Sequence, residues 1–425
     1  MSSVAVIGLG RVGLPLALSF ADRGFEVIGI EREPSVLASI GDGRMPFAET
    51  GTQELLERVL AGGGLRLDPH AHTAAEADHI VLTLGTPAHM HIEIDVSQIR
   101  LVVDDLLPVL REGHSIVLRS TVAPGTTEWV AGYIEQRRGF RVGEDLFVSH
   151  VPERIAENHF LEEIATLPCI IGGVGEASTD RAAELFEVFG SEIVRTSPAQ
   201  AELAKIWTNI LRYTQFALPN LLMMNCEQHG ANVFEVIDLI NHDYPRGGMA
   251  LPGLTAGTCL RKDFAFSEER SSAPGMLLAV SRVHETVPLF LVEGLKQRLG
   301  GSLRDQRVAV LGLTFKRNSD DVRDSLSHKL IRLLERELAQ VVAHDPHVPD
   351  SEPLDAALAG ADAVIVATNH AEFESLVDQL SPACMLVDPW NVTGAGQVFA
   401  DAGKLTPRSG PGRVVSSSDG GEAAV

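Results

Sequence analysis

The sequence predicts an α/β protein: two doubly wound domains on parallel sheets, joined by a central α-helical domain with a long helix. Three observations lead there. Short apolar runs of strand type alternate with helical stretches early in the chain and again late in it, the pattern of a parallel sheet covered by helices on both faces. The stretch between them reads as helix. A Gly-rich turn joins the first strand to the first helix, and an acid closes the second strand.

Val4-Ala5-Val6-Ile7 is the first apolar run. Gly8-Leu9-Gly10-Arg11-Val12-Gly13 follows, and residues 14–23 read as a helix stopped by Gly24. Residues 25–30 form the next strand, ending at Glu31. Further strand-type runs lie at 80–84, 115–118 and 169–171. Residues 199–227 hold no glycine and one proline, Pro219, so a long helix kinked at that proline is expected. Residues 233–241 and 273–299 read as further helices. A second strand series runs through 307–311, 340–343, 363–367 and 386–387. The expected divisions are 1–197, 198–300 and 301–406, with the Ser/Gly/Pro-rich residues 407–425 as a disordered tail.

The Gly8-x-Gly10-x-x-Gly13 turn carries little weight alone. Here it follows a strand, opens a helix and precedes an acid by about twenty residues, the context of a dinucleotide-binding fingerprint. That makes the domain Rossmann-like. The glycines, with Arg11 and Val12 in the same turn, let a pyrophosphate approach the helix N-terminus. Glu31 would accept from the ribose hydroxyls and repel a 2′-phosphate, so NAD is expected rather than NADP. Arg32, the next residue, works against that preference.

Cys259 lies in Pro252-Gly253-Leu254-Thr255-Ala256-Gly257-Thr258-Cys259-Leu260-Arg261-Lys262-Asp263. A thiolate can attack an aldehyde carbon, and a nearby cation stabilises both the thiolate and the oxyanion that forms. The other reading of a free cysteine is a small buried hydrophobe; the cofactor turn earlier in the chain favours the nucleophile. Thr86 and Pro87, in Gly85-Thr86-Pro87, and Thr121, in Ser120-Thr121-Val122-Ala123-Pro124-Gly125-Thr126-Thr127, follow strands. Hydroxyls there face the ligand crevice of an open α/β sheet or cap helices. Lys205 and Asn209, four apart, share one face of the long helix, as do Lys205 and Glu202; that face is either catalytic or solvated. Lys316 and Arg323 flank Asp320-Asp321 and either hold phosphates or form a solvated charged run. His70/His72 and His89/His91 are paired without a clear third ligand, so no metal site is expected.

The 425 residues carry a net charge of -22, with 45% hydrophobic, 22% charged and only 5% aromatic residues. Cores must therefore rest on aliphatic side chains. The acidic balance disfavours nucleic acid and anionic membrane surfaces. No apolar stretch is long enough for a membrane span. Four widely spaced cysteines, without a C-x-x-C pair, fit a reducing cytosol. With no basic region followed by an apolar run at the N-terminus, the expected location is cytoplasmic.

From about Ser3 to about Asn391 these motifs, in this order and spacing, resemble the UDP-glucose/GDP-mannose dehydrogenase family. The resemblance includes the Gly8/Gly10/Gly13 turn, Gly43-Arg44-Met45-Pro46-Phe47-Ala48-Glu49-Thr50-Gly51, Gly85-Thr86-Pro87 and the loop from Ser120 to Thr127. It continues through Pro152-Glu153-Arg154-Ile155, Glu202-Leu203-Ala204-Lys205, the Cys259 segment and Gly312-Leu313-Thr314-Phe315-Lys316 with Asp320-Asp321-Val322-Arg323. The Pro-Glu-Arg-Ile run is closest to the UDP-N-acetylhexosamine branch. The resemblance implies an NAD-binding N-terminal domain, a C-terminal domain for the nucleotide of the sugar, and a homodimer built on the long helix. It implies two successive oxidations of the sugar C6 alcohol to a carboxylate. Cys259 would be the nucleophile, with Lys205, Asn209 and Asp263 handling water, oxyanion and protons. Thr121 and Glu153 would support hydrolysis. Arg154, Arg246, Gly253 and Lys316 would meet the substrate, and Arg323 the cofactor. The sequence departs from the family at Leu254 and Ala256, where glycine is common, at Thr258, and at Asn158, where that branch has glycine. An enzyme that stops after one oxidation or acts on another hydroxyl, and a non-catalytic nucleotide-sugar-binding homologue, are the alternatives.

Overall fold

The computed structural model describes residues 2–86, 88–89, 93–94, 97–255, 257–268 and 275–405. The expected disordered tail lies outside them. The chain divides into two compact units. The first holds the residues up to Thr208 and a short stretch, 265–270; the second holds Asn209–Phe264 and the residues from 271 on.

The first unit carries an eight-stranded sheet. Its strands are β1 (Ser3–Ile7), β2 (Glu26–Ile30), β3 (Leu65–Asp68), β4 (His79–Leu82), β7 (Ser115–Leu118), β8 (Phe147–His150), β9 (Cys169–Gly173) and β10 (Ile193–Thr196); a two-stranded ribbon, β5 (Ala88–His89) with β6 (Glu93–Ile94), stands apart. The order is β10-β9-β8-β7-β4-β1-β2-β3. Helices α1 (Gly13–Asp22), α2 (Pro34–Gly41), α3 (Thr52–Gly62), α4 (Ser97–Leu106), α5 (Thr126–Arg138), α6 (Phe160–Thr166) and α7 (Glu176–Phe186) complete it. Alternation along β1 explains the layering. Val4 and Val6 join one core with Leu14, Leu18, Leu55 and Phe186. Ala5 and Ile7 point the other way, into a core with Ile99, Val103, Val130 and Ile134.

The long helix α8 (Pro198–His229) runs on through Pro219, and α9 (Val233–Asn241), α10 (Thr258–Glu268) and α11 (Met276–Arg298) follow. The second sheet is β11 (Arg307–Leu311), β12 (Gln340–His344), β13 (Ala363–Val366), β14 (Met385–Val387) and β15 (Phe399–Asp401), in the order β12-β11-β13-β14-β15; α12 (Ser327–Arg336) and α13 (Leu354–Leu358) belong with it.

Two findings differ from the sequence expectation. Each sheet has one antiparallel pair, β8 with β9 and β14 with β15, among otherwise parallel neighbours. And Cys259 is in the first turn of α10 rather than in a loop. Gly257, at φ +98, turns the chain just before that helix starts.

Candidate active site

In the first unit, the Gly8 N–H donates to the Ile30 carbonyl at 2.8 Å, binding the turn to the end of β2. There Glu31 accepts from the Leu9 N–H at 2.8 Å and the Glu33 N–H at 3.1 Å. Gly13 is required by packing: a Cβ there would lie 1.8 Å from the Gly8 oxygen and 2.4 Å from Thr83 Oγ1. A Cβ on Gly10 would meet nothing within 4 Å. The fold itself gives Gly10 no reason to be glycine. A ligand approaching the turn does, and α1 has Val12 at its N-cap without a side-chain bond, leaving donors for a pyrophosphate. These residues fit NAD. Arg11 pairs with Glu157 at 2.5 Å and lies over the Phe47 ring; Arg32 is exposed.

The loops after β4 and β7 are tied together, since the Thr86 hydroxyl donates to the Thr121 carbonyl at 2.7 Å. Pro87 lies outside the described residues. The loop after β7 is held by Glu202, which the sequence placed only on the face it shares with Lys205. Buried Glu202, one turn before Lys205 on α8, accepts from the Gly125 N–H (2.7 Å), the Thr127 N–H (2.9 Å) and the Thr127 hydroxyl (2.6 Å). Burial pushes its carboxyl above the usual range, against those bonds. Its three-residue spacing from Lys205 was the available signal. Glu153 forms a buried ion pair with Arg119 at 2.6 Å and accepts from the Ile155 N–H at 2.7 Å. Arg119 carried no sequence signal beyond its strand end. Arg154 donates to the Pro168 carbonyl at 2.5 Å. Asn158 adopts φ +71, a region asparagine tolerates. Its N–H and that of Phe160 donate to Glu49 at 2.9 and 3.0 Å.

In the second unit, Asp263 is fully buried on α10. It accepts from Asn209 Nδ2 at 2.6 Å and pairs with Lys262 Nζ at 2.9 Å. Asn209 stands four residues after Lys205 on α8, one helical turn on. The side chains of Thr258 and Cys259 and all of Ala256 lie outside the described residues. The segment before them is firmly seated. The Asn220 amide donates to the Gly253 carbonyl at 2.9 Å and accepts from its N–H at 2.8 Å. A Cβ on Gly253 would run into the Trp390 ring, and one on Gly257 into the Phe315 ring. Leu254 points into the core of the second unit. Behind Asn220, His284 stacks on Tyr213 at 4.2 Å and is bonded to the Tyr213 carbonyl at 2.8 Å.

Lys316 is buried. Arg323 forms a two-pronged pair with buried Asp321, Nε to Oδ1 at 2.8 Å and Nη2 to Oδ2 at 2.6 Å. Arg246 stands on an exposed loop after α9, stacked over Tyr244 at 4.7 Å. That loop is knotted by Asn241, which accepts from the Gly248 and Met249 N–H groups at 2.8 and 2.9 Å. Among the expected histidine pairs, His70 and His72 stack at 5.3 Å, and His91 lies outside the described residues. His347, His370 and Glu372 bring ligand-type atoms within 4.8 Å of one another, but both ring nitrogens of His370 are already engaged.

A dinucleotide turn with its acid, a second α/β unit and a buried carboxylate beside a helix-borne cysteine define a dehydrogenase with two nucleotide-binding folds. Residues 2–190, 199–286 and 309–395 match the NAD binding, central and UDP binding domains of the UDP-glucose/GDP-mannose dehydrogenase family. The chain belongs to that family, and its cofactor is NAD. It is 31% identical over 381 residues to a UDP-N-acetyl-D-mannosamine dehydrogenase of Pyrococcus horikoshii, covering 88% of this chain and 90% of that one. It is 33% identical over 406 residues to a UDP-glucose 6-dehydrogenase of Haloferax volcanii, covering 88% and 93%. A solved UDP-D-ManNAc dehydrogenase structure from P. horikoshii superposes with a TM-score of 0.86 at 29% identity, covering 92% of this chain and 96% of that one. Among the described residues, no helix is long and apolar enough to cross a membrane.

Proposed function

We propose that the chain oxidises the C6 alcohol of a UDP-linked sugar to the carboxylate in two steps, with UDP-GlcNAc, UDP-ManNAc or UDP-glucose as substrate. The observation that carries this reading is the buried Asp263, bonded to Asn209 and Lys262 one turn after Cys259. A carboxylate so placed orients an amide and an ammonium around a helix N-terminus, where partial positive charge favours a thiolate. The names of the relatives support a UDP-sugar.

Bound at the Gly8–Gly13 turn, NAD would supply the hydride acceptor for each oxidation. The residues do the rest. Lys205 and Asn209 stabilise the oxygen as charge develops on it, and Asp263 holds Asn209 and the proton traffic in register. The Cys259 thiolate adds to the aldehyde carbon, giving a thiohemiacetal that is oxidised to a thioester. Water attacks the thioester, oriented by Thr121 and by Glu153, whose position Arg119 fixes. The acid leaves and the thiol is restored. Residues 1–197 serve the cofactor and 301–406 the nucleotide, and 198–300 form the dimerisation domain. Leu203, Trp207, Leu211, Leu218 and Leu221 make an exposed apolar stripe on α8, which supports a homodimer. Arg246, exposed on its knotted loop, would reach the sugar nucleotide across the dimer.

The test is stoichiometry. Each UDP-sugar consumed should give about two NADH, because both hydrides leave before the product does. Cys259→Ala should abolish acid formation and leave NAD binding unchanged. About one NADH per sugar, with aldehyde trapped by a hydrazine, would favour the single-oxidation alternative.

A further inference from the structure

The loop after β11 carries Phe315 and Lys316, and both its shoulders are held by one fully buried imidazole. His370 Nδ1 accepts from the Asn318 N–H at 2.9 Å. An acceptor at Nδ1 places the ring proton on Nε2. Nε2 lies 3.1 Å from Asp345 Oδ2 and 3.0 Å from Thr314 Oγ1. Asp345 Oδ2 in turn accepts from the Leu313 and Thr314 N–H groups at 2.6 and 3.0 Å. Thr368 donates to the Thr314 carbonyl at 2.6 Å, and the Thr314 hydroxyl donates to the Lys316 carbonyl at 3.1 Å. Thr314 and Asn318, on either side of Lys316, therefore answer to the same ring. The Phe315 ring meets the segment that opens α10, where a Cβ on Gly257 would stand 2.6 Å from it. Loop, imidazole and thiol-bearing helix form one chain of contacts within the second unit.

We propose that His370 is a positioning residue. It fixes residues 313–318 so that Lys316 stands ready for the nucleotide phosphates and Phe315 supports the start of the Cys259 helix. This rests on the UDP-sugar reading above. A loop ordered before the ligand arrives spares the ligand that ordering cost, so loosening it weakens binding without touching a contact atom.

Two substitutions separate the ends of the ring. In His370→Asn the side-chain oxygen takes the place of Nδ1 and still accepts from Asn318. In His370→Gln the amide nitrogen takes the place of Nε2 and reaches Asp345, but the Asn318 N–H loses its acceptor. With the full chain, UDP binding is measured by calorimetry, NADH binding by fluorescence, and KM and kcat with the sugar nucleotide. His370→Gln should weaken UDP binding and raise KM about tenfold, the effect of one buried hydrogen bond, with kcat less affected and NADH binding unchanged. His370→Asn keeps the Asn318 bond but gives up the Nε2 bonds to Asp345 and Thr314, and should weaken UDP binding in the same direction, by about threefold. Should His370→Gln fail to fold, Thr314→Val removes the hydroxyl facing Nε2 and should weaken UDP binding in the same direction. Wild-type UDP affinity in His370→Gln or, in its stead, Thr314→Val overturns the proposal. So does equal weakening of UDP and NADH binding, which marks a general structural role. A wild-type protein that binds NADH but no UDP removes the substrate reading, and this inference with it.

Discussion

Gly8 and Gly312 stand at the same point of their respective sheets. Each follows the first strand, with φ +96 and +95. Each donates its N–H to the last residue of the neighbouring strand at 2.8 Å, Ile30 in one case and His344 in the other. In each unit the next residue of that neighbouring strand's path is an acid, Glu31 or Asp345, and it accepts from the residue after the glycine. From there the units part. In the first, α1 begins at Gly13, close behind the turn, and Glu31 has two donors among the described residues, both backbone N–H groups. In the second, α12 begins only at Ser327. Asp345 is buried and takes four donors: the Leu313, Thr314 and His347 N–H groups and His370 Nε2. A carboxylate has about four acceptor sites. Glu31 keeps acceptors for a ribose, whereas Asp345 is filled by the protein. On the proposed reading, the same strand-end acid would be a ligand group in one unit and a bolt in the other, with recognition in the second unit passing to the longer loop that the bolt secures.

The strongest way to break this comparison is at the glycines. Gly13→Ala places a methyl 1.8 Å from a backbone oxygen and should destabilise the first unit by about 3 kcal/mol or more. Gly10→Ala meets nothing within 4 Å and should change stability by less than about 0.5 kcal/mol, yet weaken NADH binding by roughly tenfold or more. Denaturant midpoints and NADH titrations separate the two. If Gly10→Ala bound NADH as the wild type does, the cofactor would not cross that turn.

Next come the acids. Asp345→Asn leaves an amide facing four donors and should cost about 3 kcal/mol, as breaking a buried charged network does. Glu31→Gln keeps an acceptor for the Leu9 N–H and should cost less than about 1 kcal/mol. Its effect should fall on selectivity, lowering the NAD over NADP preference in kcat/KM about tenfold as the repulsive charge is removed. Equal losses of stability in the two variants would mean that the two acids do the same work.

The parts of this design that were legible in sequence are local. The strand, Gly-rich turn, helix and acid of the first unit sit within about thirty consecutive residues, and α9 matches its expected bounds because Asn232 caps it and apolar spacing fills it. α8 was readable because residues 199–227 hold no glycine. Strand direction was not. Whether β9 runs with or against β8 depends on how the chain returns across the sheet, not on the residues of Cys169–Gly173. β3 (Leu65–Asp68) and β10 (Ile193–Thr196) were missed because they are short edge strands: β3 alternates with charge, and β10 carries only two apolar residues. The pairing of Glu49 with the turn at Asn158 joins residues 109 apart, and Asp345 meets His370 across 25. No spacing rule reaches such contacts. Cys259 was singled out by its chemistry and its neighbours, but its place at a helix start follows from the turn at Gly257, which only the folded backbone displays.

The smallest effect expected is a difference in acid sensitivity. Burial pushes His150 down to about 3 and His79 down to about 4 in the first unit, and His284 down to about 4 in the second. Each is neutral when folded and takes up a proton on unfolding below its ordinary value of 6.5. Their contribution is therefore complete above pH 6.5 and is lost as the pH falls toward 4, at up to about 1.4 kcal/mol per pH unit for each histidine. Asp345 behaves differently. Although burial opposes it, bonding to His370 and the backbone N–H groups brings its pKa down to about 2. Its contribution is present above the ordinary 3.8 and fades only between there and about 2. From pH 6.5 to 4.5 the decline in stability should then come from histidines alone. His150→Gln should reduce that slope, as read from urea midpoints at several pH values, while Asp345→Asn should lower stability by the same amount throughout this range. A slope unchanged in His150→Gln would mean that the imidazole stays neutral in the unfolded chain or finds water in the folded one. A slope changed in Asp345→Asn would place the titration of the second unit's bolt in the wrong window and undo its contrast with Glu31.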